Sequence, residues 1–369
     1  MTKKEVIRCV AFFIVVCVVL VGLTDIFEQD HASYGRRFNT YRNFEKNTVD
    51  AVYLGTSGVE RYWIGPKAYE EYGMTVYPLA VEATPVWLYT NLVDEAFAYQ
   101  NPQLLIFDTR PFVQSHTAEN ADVRARRVLD SMEIFSINRM KTALKTMKVI
   151  HSLDDSKPVF DASFIFSFAK FHTKWSDSAF SIDTQYDKQE HEYGGFYVHY
   201  LLSIDHKPQT PIEYDENYYE ALDPLSEESL YELLDYTQEL GVQVLFVDSP
   251  QYMSKQERGR ANTVRKILQE RGAAYLSYNF TGDSEQFDIQ LDPETDYYDD
   301  AHVNYYGAEK FTASLAAYLD EQYHLPDRRS DDAVRKDWDG VYDHIKKTIA
   351  NYEAIHAKQD AKEAASSGD

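Results

Sequence analysis

Short apolar runs alternate with stretches of helical spacing along most of this chain, and that alternation is what most narrows its fold. Residues 49–54 (VDAVYL), 74–81 (MTVYPLAV) and 102–111 (PQLLIFDTRP) read as strands, the third apolar enough for burial on both faces. Between them lie residues 58–73, a turn or helix stopped by Gly73, and residues 85–100. The latter open on Pro85 and place Val86, Leu88, Leu92, Val93, Ala96 and Phe97 at helical spacing. The rhythm resumes with a helix over 226–241, started at Ser226-x-x-Ser229 and stopped by Gly241. A strand over 242–250, a helix over 255–272, a strand over 273–280 and an amphipathic helix over 307–323 follow. Strand, helix, strand at this spacing requires crossover connections, so the expected class is α/β with an open parallel sheet. Residues 28–48 read as a polar connector. Residues 112–225, rich in aromatics and histidine, break the rhythm and are expected to form an inserted, mostly helical or irregular cap. From residue 327 the chain turns charged, which predicts a helix and then a disordered tail over 357–369.

Residues 1–27 have a different logic. Lys3, Lys4 and Arg8 precede fifteen apolar or small residues, 9–23, and Asp25, Glu28 and Asp30 follow. With Val6, Ile7, Thr24, Ile26 and Phe27 the run reaches the roughly 20 residues a spanning helix needs. The basic flank puts the N-terminus in the cytoplasm and the rest of the chain outside, as a single-pass membrane protein. A cleaved signal peptide is the rival reading, but no A-x-A-like site stands out, and Cys17 follows Val15-Val16 rather than a small residue. Cys9 and Cys17 are the only cysteines, so the exterior part has no thiol for a disulfide or a metal. A net charge of −23, from 37 basic and 60 acidic residues, argues against a nucleic-acid partner.

Two short segments carry chemistry. Gly55-Thr56-Ser57-Gly58 follows the first strand, where open α/β sheets gather function, and its glycines permit a tight exposed turn. Asp299 and His302, three apart and just before the last amphipathic helix, can face one way, the carboxylate holding one imidazole nitrogen while the other faces a substrate. Either segment alone also fits a plain turn or a solvated helix cap, and their joint placement is what singles out Ser57, His302 and Asp299. His172, His191 and His199 with Asp177 and Glu192 have no regular metal-ligand spacing, so neither a metal nor a cofactor is expected. The 29 Tyr, 20 Phe and 4 Trp could stack on sugars, though core packing accounts for most such rings.

The blocks YLGTSGVERYWIGP, PQLLIFDTRP, VQVLFVDSP and DDAHVNYYGAEKF, with Phe171-His172-x-x-Trp175 and Tyr193-Gly-Gly-Phe196, resemble those of SGNH (GDSL-like) hydrolases over about residues 49–320. The likeness is greatest to the membrane-anchored bacterial branch of teichoic-acid D-alanyl-transfer proteins and polysaccharide O-acetyltransferases. It implies a flavodoxin-like three-layer fold spanning 49–326, with Ser57 as nucleophile, His302 as base and Asp299 as its orienter. An acyl group would pass through a serine ester to water or to a hydroxyl of a cell-envelope glycan or teichoic-acid-like polymer, with a multi-span membrane acyltransferase as partner. Members of the family offer a glycine after the second strand and an asparagine after the third as oxyanion donors. Here those regions read Ala80-Val-Glu-Ala-Thr84 and Asp108-Thr-Arg-Pro111, and Gly58 stands where this branch often has histidine. Gly58, Thr84 and Arg110 are therefore the expected substitutes around the oxyanion. Without a substitute the chain would be a weak or inactive glycan-binding or scaffold protein.

Overall fold

The computed structural model describes residues 2–27, 34–176, 193–198, 215–279, 289–299 and 301–366. In chain order, α1 (Lys3–Ile26) and α2 (Tyr34–Asn43) lead to β1 (Ala51–Gly55), α3 (Ser57–Glu60), α4 (Gly65–Tyr72), β2 (Val76–Ala80), α5 (Tyr89–Tyr99) and β3 (Leu104–Asp108). There follow α6 (Ala118–Ser131), α7 (Ile137–Leu153), α8 (Phe168–Phe171), α9 (Pro224–Leu240), β4 (Gln243–Asp248), α10 (Lys255–Glu270) and β5 (Ala274–Ser277). The chain closes with α11 (Tyr305–Tyr323), α12 (Asp332–Trp338) and α13 (Val341–Ser366). These form two compact units, Met1–Asn39 with His116–Asp187, and Thr40–Ser115 with Lys188–Asp369.

The second unit is built on a five-stranded parallel sheet in the order β2-β1-β3-β4-β5. Every residue of β1, β2 and β3 is buried, as continuous apolar runs in a crossover-built sheet should be. Side chains alternate between two faces. Ala51, Tyr53, Leu104, Ile106 and Leu245 share a core with Ala68 of α4, Phe311 and Leu315 of α11, and Ile345 and Ile349 of α13. On the other face Phe107 meets Phe246 at 5.2 Å and Tyr89 of α5 at 6.1 Å between ring centroids, and α5 packs on β1 and α9. Because the strand order reverses between β1 and β3, their carboxyl ends open a crevice at the topological switch point.

Four expectations change. The chain after residue 327 is α12 and α13, helical as far as Ser366, including most of the expected tail. Tyr342, Ile345 and Ile349 give α13 a core-facing stripe, and each buried isoleucine contributes about 1.5–3 kcal/mol. Beyond them Ala, Lys, Gln and Glu are strong helix formers. The connector contains α2. Helix α9 starts before Ser226, capped by Asp223, whose side chain accepts from Leu225 N–H with Pro224 in the first helical position. Finally, the expected cap divides: of its described residues, 116–176 join the first unit, where α6 packs on α7, while Tyr193 and Phe196 are core residues of the second. Gly195 lies against Tyr77 and Pro78, with φ +84°.

In the first unit, α1 is long and apolar enough to cross a membrane and is capped by a reciprocal Thr2 and Glu5 box. Arg126 ties α6 to the 162–164 turn, donating to Ser163 O and Ser163 Oγ at 2.8 Å each over the Phe164 ring.

Candidate active site

The strand β1 ends at Gly55, and Thr56 caps the short helix that begins with Ser57, its hydroxyl accepting from Gly58 N–H. No other residue fits at Gly55 without rearrangement: a Cβ there would lie 2.4 Å from Asp108 Cβ. From the other direction, a tight loop closed by the Tyr297–Val303 bridge brings in Asp299 and His302. Asn304 then caps α11, and Gly307 lets that helix pass the loop, since a Cβ would sit 2.3 Å from Asp296 O.

The structure brings Ser57, His302 and Asp299 together. The two Asp299 oxygens lie 2.8 and 2.9 Å from His302 Nδ1, and Ser57 Oγ lies 2.8 Å from Nε2. With Nδ1–H donated to the carboxylate, Nε2 is the acceptor for the serine proton. Ala301 N–H also donates to Asp299 Oδ1 at 2.8 Å, which fixes the carboxylate.

Arg110 lies beneath this constellation and is 5% exposed. Nε donates to Ser249 Oγ at 3.0 Å, Nη1 to Ala301 O at 2.6 Å, and Nη2 to the phenolic Tyr62 Oη at 2.6 Å and Pro250 O at 2.9 Å. Tyr62 in turn donates towards the carbonyls of Pro250 and Ala301, at 2.7 and 2.9 Å. The guanidinium thus joins the ends of β3 and β4 to the residue before His302. Four of its five N–H groups are committed inward, so it is a scaffold for the histidine loop and not the oxyanion donor expected of it. Gly58 owes its place to the same residue, because a Cβ there would come 2.7 Å from Arg110 Cδ. Thr84 also departs from expectation. Its hydroxyl donates to Val81 O at 2.7 Å, which uses its only proton.

Three features had weaker signals. Asp108 is fully buried, accepting from Thr56 Oγ1 at 2.5 Å and from Arg110 N–H at 3.0 Å, so it holds the residue before Ser57. Asp248 ends β4 in the same way and accepts from Ser277 Oγ at 3.0 Å. A lone aspartate closing an apolar strand is the sequence sign for both. Ala83 has φ +56°, the left-handed region that costs a non-glycine residue about 1–2 kcal/mol, in the loop where Val81 N–H reaches Gly55 O. An alanine in a sequence gives no sign of this.

Burial lowers the His302 pKa below its ordinary value; the Arg110 and Arg61 charges add to this, and the hydrogen bond and charge of Asp299 oppose it. Burial opposes ionisation of Asp299 as well, but the hydrogen bond and charge of His302 hold its carboxyl at about 2. Burial raises Asp108, against the opposing charge of Arg110, and raises Asp248 to about 6. At neutral pH the imidazole is therefore neutral and the carboxylate beside it ionised, the pairing a general base requires. The rate of Ser57 modification by an organophosphonate should accordingly stay on its plateau as pH falls to the ordinary imidazole pKa of about 6.5 and decline only below it. A midpoint above that value, in a pH–rate profile, would contradict the assignment.

No protein-family model matches the chain, and no curated protein does. Among the described residues no group of His, Cys, Asp and Glu is arranged to hold a metal ion. His191 and His199, with Asp177 and Glu192, lie outside the described residues.

Proposed function

We propose that this chain is an extracytoplasmic serine acyl-transfer enzyme of the SGNH type, anchored by α1, that moves an acyl group on or off hydroxyls of a cell-envelope polymer. The single observation that carries this reading is the Ser57–His302–Asp299 chain of hydrogen bonds at the carboxyl end of β1. Neutral Nε2 takes the serine proton as Oγ attacks the acyl carbonyl, and Asp299 stabilises the imidazolium that forms. The imidazolium returns its proton to the departing alcohol, which leaves an ester on Ser57. In the second half-reaction His302 deprotonates water or a sugar or polyol hydroxyl, which attacks that ester and frees the serine.

The Ser57 N–H is the first of α3 and has no intrahelical acceptor, so it suits the developing oxyanion. The basic residues before α1 favour a cytoplasmic N-terminus and an exterior site. A multi-span membrane acyltransferase would then supply the acyl group from the membrane side.

The test is chemical. Full-length protein treated with p-nitrophenyl acetate should gain one acetyl group on the peptide containing Ser57, discharged faster when a glycan or polyol is added. The Ser57→Ala variant should gain none. A folded wild-type chain that stays unmodified would sink the catalytic reading in favour of a glycan-binding or scaffold role.

A further inference from the structure

Helix α7 turns one side inward and leaves the other uncovered. Arg139, Thr142, Ala143, Thr146, Met147 and Ile150 are buried. Opposite them Ile137, Met140 and Leu144, 77%, 43% and 51% exposed, form a stripe at i, i+3 and i+7, and Phe135, 78% exposed, extends it in the preceding turn. Lys141, Lys145 and Lys148 run along one border of that stripe, at i, i+4 and i+7. The 17 residues of α7 contain no Asp or Glu, in a chain whose net charge is −23. The compact unit that holds α7 is also the one that holds α1, whose apolar residues are unburied.

We propose that the outward face of α7 lies on an anionic phospholipid surface, its apolar stripe at the boundary of headgroups and acyl chains and its lysines among the phosphates. An apolar stripe with a lysine border is the pattern of an interfacial helix: lysine stems lie on the apolar layer while their ammonium groups reach the headgroups. Charge decides among occupants. A second copy seated face to face would set its own α7 lysines against these, like charge facing like, whereas an anionic bilayer matches both halves of the face and is where α1 would bring this unit. The proposal rests on the membrane-anchor part of the reading above and not on the triad.

The test uses the full-length chain with Cys9 and Cys17 replaced by alanine, reconstituted in bilayers of phosphatidylcholine and phosphatidylglycerol. One nitroxide is placed at Ile137→Cys or Leu144→Cys. Val15→Cys in α1 serves as the lipid reference, and Asp332→Cys, whose native side chain is 96% exposed, as the water reference. Positions 137 and 144 should show an oxygen-to-nickel accessibility ratio several-fold above position 332. They should lose that excess in the Lys141→Glu/Lys145→Glu/Lys148→Glu variant while position 15 keeps its ratio. If position 15 is in lipid but 137 and 144 match the water reference, or are shielded from both reagents by protein, the proposal is wrong and the anchor stands. If position 15 itself is in water, both fall.

Discussion

His302→Gln is expected to slow acylation of Ser57 by about 10⁴-fold or more, because the hydroxyl loses the imidazole nitrogen positioned to take its proton. Glutamine keeps much of the volume of a side chain that is 15% exposed, so the thermal midpoint should change little. Asp299→Asn should be similarly damaging, since an amide facing Nδ1 permits the tautomer that leaves Nε2 protonated. The two losses should not add: residues acting as one unit fail together, so the double variant should be about as slow as the worse single one. Multiplying losses in pre-steady-state acylation would mean that the two act independently, against the 2.8 Å geometry.

The second large effect is on stability. Arg110→Met should cost about 3–5 kcal/mol, read from denaturant midpoints, because it removes a buried charge together with the donors to Ser249, Tyr62, Pro250 and Ala301. Its pH dependence identifies the cause. Asp248 and Asp108 have raised pKa values in the fold, so each binds its proton more tightly there than in the unfolded chain, and stability is lost as pH rises through the folded value, about 6 for Asp248. Arg110 counteracts that shift in both. Without it the deficit should be larger at about pH 8 than at about pH 5. His302 pushes the same way, since losing Arg110 raises its depressed pKa and eases protonation in the folded state. A deficit that grows on acidification would contradict this account. Arg110→Lys keeps the charge but not the fork and should fall between, with slower acylation because Ala301, next to His302, is less firmly held.

Much of the fold was legible because burial on both faces of a parallel sheet writes itself as uninterrupted apolar runs, as in Leu104–Asp108. The candidate site, as a place where three side chains meet, was legible for a related reason. Function gathers where such runs end, so Ser57, Asp299 and His302 could be singled out from their places at a strand end and before the last amphipathic helix. The surrounding support was not. Arg110 looked like an oxyanion donor because its partners are carbonyls of Pro250 and Ala301, on loops far along the chain, and no local pattern marks a guanidinium that turns inward. Only the last residues, 357–369, looked unstructured by composition; the helix anchored by Tyr342, Ile345 and Ile349 runs on to Ser366 because Ala, Lys, Gln and Glu propagate it without packing of their own. The division of residues 112–225 between two units depends on long-range packing such as Phe196 in the sheet core, for which an aromatic residue alone gives no direction.

The central claim is that Ser57 is an activated nucleophile, and a fluorophosphonate tests it most directly. Full-length protein should take up one equivalent, mapped by mass spectrometry to Ser57 Oγ, and Ser57→Ala should take up none while melting at the same temperature. A folded wild-type protein that remains unlabelled, or one labelled at another residue, would contradict it.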